Sequence, residues 1–533
     1  MSFSATLGMG LLSTYGVLLG LVGGLQSGVL RMALVLPVVA GVWLALPTLT
    51  RTIVPSMRSL IRRSPLGAAL LALLAGAFLL LALTPRVFYD ALLYHLGSPN
   101  HWLMEGSIRP APGVVYSGFP MQSELLTALA IALGGRPAAG LLHAGLGLML
   151  MLAVGAVAAR RSTPAGGLAA ALLVGSLPMT LWLVFLNKPE LTGALFALMA
   201  VAAVTETCAS PRALLGAGLY AALAVACKPV NLLYLGLPLL FLLLRSVRGA
   251  PHQGRRTLAL AAGAAVGMLP WLVRDVAFRV ATGEAPGLAG LAPEPRLELL
   301  RDIDPVLPSS LPWAPVRALL DPILGGTGTA AEPTWQWLIL LPLLAVAAVR
   351  KGPARAYLGA GALVLLMRAS TFHTVRFGYL AFPLLAVAAG VTLFADGRWW
   401  RRYLRYLTAG VAVWCALMTV AHMESVYTLR VAFEGNGGPR RYLEWHVPTL
   451  AAQEWINEHA DSTARVLLVG ETRRFHLDRR HVVADFVHVN PLHRYLREAS
   501  VPSEVAARLA GQGFTHVLYC PEEEARLMRK YLP

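Results

Sequence analysis

The stretch Phe88 to Pro110, FYDALLYHLGSPNHWLMEGSIRP, gathers Asp90, His95, His101, Glu105 and Arg109 directly after a long apolar run. A carboxylate at the centre of a bilayer costs about 2.5–3.5 kcal/mol on insertion scales. Asp90 therefore belongs at the water boundary, held there by the helix before it. Tyr94 lies four residues on and shares a helical face with Asp90. The segment reads as the catalytic mouth of a membrane enzyme. The plain alternative is an interfacial Asp capping the helix ALLYHL.

What positions that segment is read from composition. The chain has 533 residues, 56% hydrophobic and 14% charged, with a mean hydropathy of +0.61. Soluble domains carry about 25% charged residues. A polytopic α-helical membrane protein follows. The net charge of +17 does not indicate nucleic acid, because Arg and Lys cluster in short runs between apolar spans. The four cysteines, Cys208, Cys227, Cys415 and Cys520, form no CxxC pair and read as buried thiols. The first apolar run lacks an A-x-A cleavage site and reads as a retained span.

Candidate spans run near 7–24, 30–49, 65–84, 137–158, 165–186, 190–206, 212–226, 229–245, 257–274, 335–349, 355–370, 377–394 and 406–423, about 13 crossings at about 20 residues each. The basic runs at Arg51–Arg63, Arg160–Arg161, Arg245–Arg256, Arg350–Arg355 and Arg398–Arg405 all fall on the cytoplasmic side if the N-terminus is inside. Asp90, Lys188, Arg274, His373 and the C-terminal region then lie outside. Counting Phe119–Gly135 as a span would reverse every downstream run, so it reads as an amphipathic helix on the outer face, with Glu124 at its polar end.

The expected organisation is two extra N-terminal spans over 1–64, a transmembrane core over 65–434 with external loops near 85–136 and 275–334, and an extracytoplasmic α/β domain over 435–533. In the second loop, rich in Pro and Gly, Trp313, Trp335 and Trp337 read as interface anchors, and the loop reads as a lid. In the last domain ARVLLVG, HVVADF and THVLYC read as strands between helices. VLLVGET lacks a GxGxxG loop, so a structural or acceptor-guiding role fits better than nucleotide binding.

Several pieces, taken in order, resemble the type C glycosyltransferases, and most closely the bacterial branch that includes the aminoarabinose lipid A transferase and the protein O-mannosyltransferases. They are DALLYHL followed by Trp102, FPMQSELLTALAIALGG, NKPELTGALFAL, CKPVNLLYLGLPLL, LPWLVRDVAFRVATG and VRFGYLAFPLLAV. The two N-terminal spans are extra, and the external helix begins FP where PP is common. The resemblance implies a polyprenyl-phosphate-linked sugar as donor, a lipid, glycan or protein acceptor, and Asp90 as catalytic base. Glu190 matches the family's second acidic position. It implies donor-phosphate binding through a divalent metal ion, with Asp90 and Glu124 as further oxygen ligands, or orientation of the acceptor.

Arg376, Arg274, Lys188 and Lys228 are cations at external span ends, against the positive-inside bias. Gripping the departing phosphate is a reason for them; snorkelling or pairing with an acid is the alternative. Tyr94, His95, Trp102, Glu124 and His373 are candidates for acceptor or sugar contacts, against an aromatic belt and ordinary polar residues. The reading is a multi-pass bacterial inner-membrane glycosyltransferase, in contact with membrane lipid, acting at the outer face on cell-envelope acceptors. A lipid-linked sugar flippase would need ionisable residues in mid-span, whereas this chain places them at span ends; a non-catalytic scaffold would leave Asp90, Glu190 and Arg376 apart.

Overall fold

The computed structural model describes residues 2–48, 50–51, 54–206, 210–247, 253–283, 344–349, 352–371, 375–393, 400–485 and 488–531. Nearly all of the apolar runs are helical. Leu and Ala are strong helix formers, and a helix satisfies its backbone polar groups within one segment, as an apolar surrounding requires. In chain order the helices are α1 (Ser2–Leu21), α2 (Ser27–Thr48), α3 (Val54–Arg63), α4 (Pro65–Leu83), α5 (Gly97–Glu105), α6 (Gln122–Gly134), α7 (Pro137–Arg161), α8 (Pro164–Gly175), α9 (Pro178–Phe185), α10 (Glu190–Glu206), α11 (Pro211–Cys227), α12 (Asn231–Val247) and α13 (Gln253–Thr282). Ala354–Ala369, Ala381–Leu393 and Trp400–Tyr427 follow.

Among the described residues four helices are long and apolar enough to cross a membrane: α1, α4, α7 and α13. The expected span near 165–186 is broken. Pro178 opens a new helix, and α8 and α9 meet at 58°; together they make a fifth candidate. Other expected spans, such as α11 and Ala381–Leu393, are apolar but shorter. The bundle is organised around α10, whose residues 190–204 are buried throughout, with α7, α8 and Ala381–Leu393 in the same core. Close approach is bought with small residues. A Cβ on Gly218 of α11 would meet the Leu260 carbonyl of α13 at 2.0 Å, and one on Gly263 the Leu215 carbonyl at 1.9 Å.

The expectation of a surface-lying Phe119–Gly135 helix is corrected. Its helical part, α6, packs among α1, α5 and α7 and is buried along nearly its whole length. Its polar groups find partners on other helices in place of water. Gln122 donates to Ser13 Oγ (2.5 Å) and accepts from Trp271 Nε1 (2.6 Å), and Ser123 meets Thr192 at 2.9 Å.

The C-terminal region carries a parallel sheet of order β2-β1-β3: β1 (Arg465–Val469), β2 (Arg480–Val482) and β3 (His516–Tyr519). Leu467 pairs with Val482 on one side and Val517 on the other. The first and third expected strands form as read. The second stops at Val482, because Asp485 leaves the sheet to accept the Val115 amide at 2.7 Å. Of the second external loop expected over 275–334, residues 275–282 instead continue α13 to Thr282; the stretch from 284, with Trp313, Trp335 and Trp337, lies outside the described residues.

Candidate active site

The segment that carries Asp90 begins where α4 stops. Pro85 cannot continue the helix, and Arg86 turns back to the carbonyls that α4 leaves unpaired. Its guanidinium is buried and donates to Leu81 O (2.7 Å) and Ala82 O (3.2 Å) of α4, and to Phe185 O (3.0 Å) at the end of α9. One side chain thus ties the lead-in to Asp90 to the lead-in to Lys188. Asp90 then opens a single π turn, Ala91–His95, closed by Leu96 N to Ala91 O at 2.7 Å. Such turns are rare and concentrate at functional sites.

Lys188 follows α9 through Asn187, which adopts left-handed φ (53°). Its ammonium donates to Asp90 Oδ2 at 2.6 Å and stands 4.6 Å from the centre of the Phe88 ring. Arg376, on the turn Val375–Gly378, approaches the same oxygen at 3.8 Å and Glu190 Oε1 at 4.0 Å. Lys228, at the C-terminus of α11, donates to Glu190 Oε1 at 2.6 Å and lies 3.8 Å from the centre of the Phe377 ring. Three cations therefore surround two carboxylates. Burial alone would raise the Asp90 carboxyl; Lys188 and Arg376 outweigh it and hold the group below the usual carboxylate value.

Beside the cluster is a cavity of ≈ 120 Å³. Lys188, Lys228, Arg376 and Glu190 line it, with Tyr94, His95 and Glu124. His95 Nδ1 and Glu124 Oε1 are 2.5 Å apart, both buried. Asp90 is not on the cavity wall; its side chain is 29% exposed and touches the cavity through Lys188.

Eight of the expected site residues thus converge: Asp90, Tyr94, His95, Glu124, Lys188, Glu190, Lys228 and Arg376. Two do not. Arg274 is 3% exposed and donates to the carbonyls of Gly118 (2.6 Å) and Phe119 (3.0 Å) and to Asp275 (2.5 Å). It fastens the loop behind the cavity wall instead of facing the cavity. Trp102 is fully buried, donates to Arg109 O at 3.1 Å, and packs in a core that contains Trp271, so no sugar reaches its face. His373 lies outside the described residues. Tyr116, Phe119, Cys227 and Phe377 also line the cavity; no periodic signal in the sequence marks them as site residues, and only the place of Phe377 beside Arg376 points to it.

The divalent-ion expectation fails the test of donors. Among the described residues no group of three or more His, Cys, Asp and Glu is placed to hold a metal ion. One oxygen of each proposed ligand is paired, Asp90 Oδ2 with Lys188, Glu190 Oε1 with Lys228 and Glu124 Oε1 with His95, while Glu190 Oε2 and Glu124 Oε2 have no hydrogen-bond partner. A hard cation wants several oxygen ligands at once, and these residues do not fit one.

No family model matches this sequence, and no curated protein does. Solved structures do match. The chain is similar to ArnT from Cupriavidus metallidurans in the apo state, with a TM-score of 0.59 and 15% identity over 88% of this chain and 95% of that one. It is similar to the same protein bound to undecaprenyl phosphate, with a TM-score of 0.56 and 15% identity over 87% and 90%. It is also similar to the oligosaccharyltransferase AglB from Archaeoglobus fulgidus in complex with an inhibitory peptide and a dolichol-phosphate, at 0.49 and 12% over 89% and 72%. By its likeness to the two ArnT structures, the chain has the type C glycosyltransferase fold.

Proposed function

We propose that this protein is a membrane glycosyltransferase that moves a sugar from a polyprenyl phosphate to an acceptor hydroxyl. The observation that carries the reading is the position of Lys188. It lines the cavity with Lys228 and Arg376, and at the same time holds Asp90 at 2.6 Å. The donor phosphate enters the cavity and takes charge-assisted hydrogen bonds from these cations. Lys188 then turns from Asp90 to the phosphate. The carboxylate loses its nearest positive neighbour, so its affinity for a proton rises at the moment the donor is bound.

Asp90 accepts the proton of the acceptor O–H. The freed oxygen attacks the anomeric carbon, the bond from that carbon to the phosphate oxygen breaks, and the electron pair leaves with the polyprenyl phosphate. Lys228, Arg376 and Lys188 hold the negative charge that develops there. A single displacement inverts the anomeric centre. The donor is a hexose or pentose on a polyprenyl carrier, and the acceptor is a lipid, glycan or protein of the cell envelope.

In this reading residues 1–64 are added spans, 65–434 the catalytic core and 435–533 an extracytoplasmic unit, in a bacterial inner membrane with a cytoplasmic N-terminus. The test is transfer from polyprenyl-phosphate sugars in vesicles holding the purified chain. Asp90→Asn is expected to lower transfer at least a hundredfold while leaving folding intact; full turnover by that variant removes Asp90 from the role of base.

A further inference from the structure

We propose that the C-terminal unit positions Asp90, and that Arg474 is the positioning residue. The proposal rests on the reading of Asp90 as proton acceptor. A π turn closes with a bond five residues back, so the carbonyls inside it need other partners. Leu93 O, inside Ala91–His95, accepts from Arg474 Nε at 3.0 Å, across 381 residues of sequence. The same guanidinium reaches Ser98 Oγ at 3.4 Å on the far side of the turn.

Arg474 is 1% exposed; the Asp485 carboxylate acts on it through space, but among the described residues no carboxylate lies in ion-pair contact with it. Burying a guanidinium without such a partner is costly, so its place against a backbone turn needs a reason. Unusual backbone turns persist where the surroundings over-determine them. Arg474 supplies that constraint from outside while Lys188 holds the carboxylate from inside.

The contact is built from both sides. A Cβ on Gly97 would meet Leu92 O at 2.7 Å and Arg474 Nε at 3.1 Å. Only glycine lets the guanidinium come this close. The neighbouring residue of the same loop repeats the grip, since Asn100 Nδ2 donates to Phe475 O at 3.4 Å.

The experiment uses the full chain in nanodiscs and two variants, Arg474→Met and Gly97→Ala. The second leaves the C-terminal unit untouched. Hydrogen–deuterium exchange in peptides covering 91–98 is expected to rise at least tenfold in both, with exchange in β1 unchanged. The dissociation constant for undecaprenyl phosphate is expected to change less than twofold, while the transfer rate falls at least tenfold. Unchanged exchange over 91–98 overturns the proposal. So does a rise that spreads equally through β1, because that reports unfolding of the unit. The exchange readout needs no transfer activity, so failure of the Asp90 reading appears in the transfer assay alone.

Discussion

Two groups of buried charges flank the Asp90 turn, and they are built to opposite ends. On the outer side Glu471 is enclosed by donors: the amides of Thr472 and Arg473, each at 2.8 Å, the Arg473 guanidinium at 2.9 Å, and Thr449 at 3.1 Å. Arg473 also donates to His446 O at 2.5 Å. Its guanidinium pairs with Glu523 as well, at 3.3 Å, so this cation is shared between two acids. On the inner side Lys188, Lys228 and Arg376 exceed the two carboxylates they touch, and all three border a cavity. Burial of ion pairs marks neither side as functional, since structural pairs are buried too. The excess of cation over acid, next to open space, separates a place for an anion from a fastening. Arg274 makes the same point inside the core: it is a buried arginine at an expected site position, spent on loop carbonyls.

The largest effect that can break this comparison is at Asp90. Asp90→Asn should lower transfer by roughly 10²–10⁴-fold, the range for loss of a positioned general base, measured as sugar released to acceptor in vesicles. A similar loss in Glu471→Gln, with folding intact, would erase the contrast between the two sides.

Next come the cations. Lys228→Gln and Arg376→Gln should each weaken undecaprenyl phosphate binding roughly ten- to hundredfold, from a lost charge-assisted hydrogen bond of about 1.5–3 kcal/mol. Titration of the lipid into protein in nanodiscs checks this. Binding that survives both substitutions means the phosphate goes elsewhere.

Arg274→Met sharpens the division further. It should cost about 1–3 kcal/mol of stability, through carbonyls left without their donor, while lipid affinity stays the same. A tenfold loss of affinity would return Arg274 to the phosphate grip that its sequence position implies.

The smallest effect is on pH. Burial, then Arg474, lowers His481 to about 3; burial, then Arg136, lowers His476 to about 4. The unfolded chain binds these protons near 6.5. Acid therefore favours unfolding. The stability is complete above about pH 6.5 and is lost as pH falls toward 4 and 3, by at most about 1.4 kcal/mol per pH unit for each histidine. His101, packed 6.3 Å from His481, shifts the same way. Melting temperatures between pH 7 and 5 read this directly, and a flat profile would show that the C-terminal unit is not closed around these rings.

Much of the inner side was legible in the chain itself. Asp90 after an apolar run, Lys188 and Glu190 ahead of another, Lys228 at a Pro-marked break and Arg376 before LAFPLLAV are charges that an apolar setting tolerates only with partners, so their types and places pointed to one another. The pairings were not legible. Lys188 and Asp90 are separated by 98 residues, and Lys228 and Glu190 by 38. The burial of α6 was not legible either, because FPMQSELLTALAIALGG carries the same apolar count whether lipid, water or other helices surround it.

Composition and pattern alone specify a helical, apolar chain, with its charged side chains at the ends of apolar runs and short strands near its end. They do so because hydropathy and charge are local properties that each segment carries wherever it packs. Packing makes Arg274 and Trp102 fasten the core, leaves Asp90, Glu124 and Glu190 without the arrangement of a metal cage, and brings Arg474 to the Asp90 turn from nearly four hundred residues away. Those outcomes depend on which helices approach closely enough to share a hydrogen bond, and proximity in space is not written at any one position.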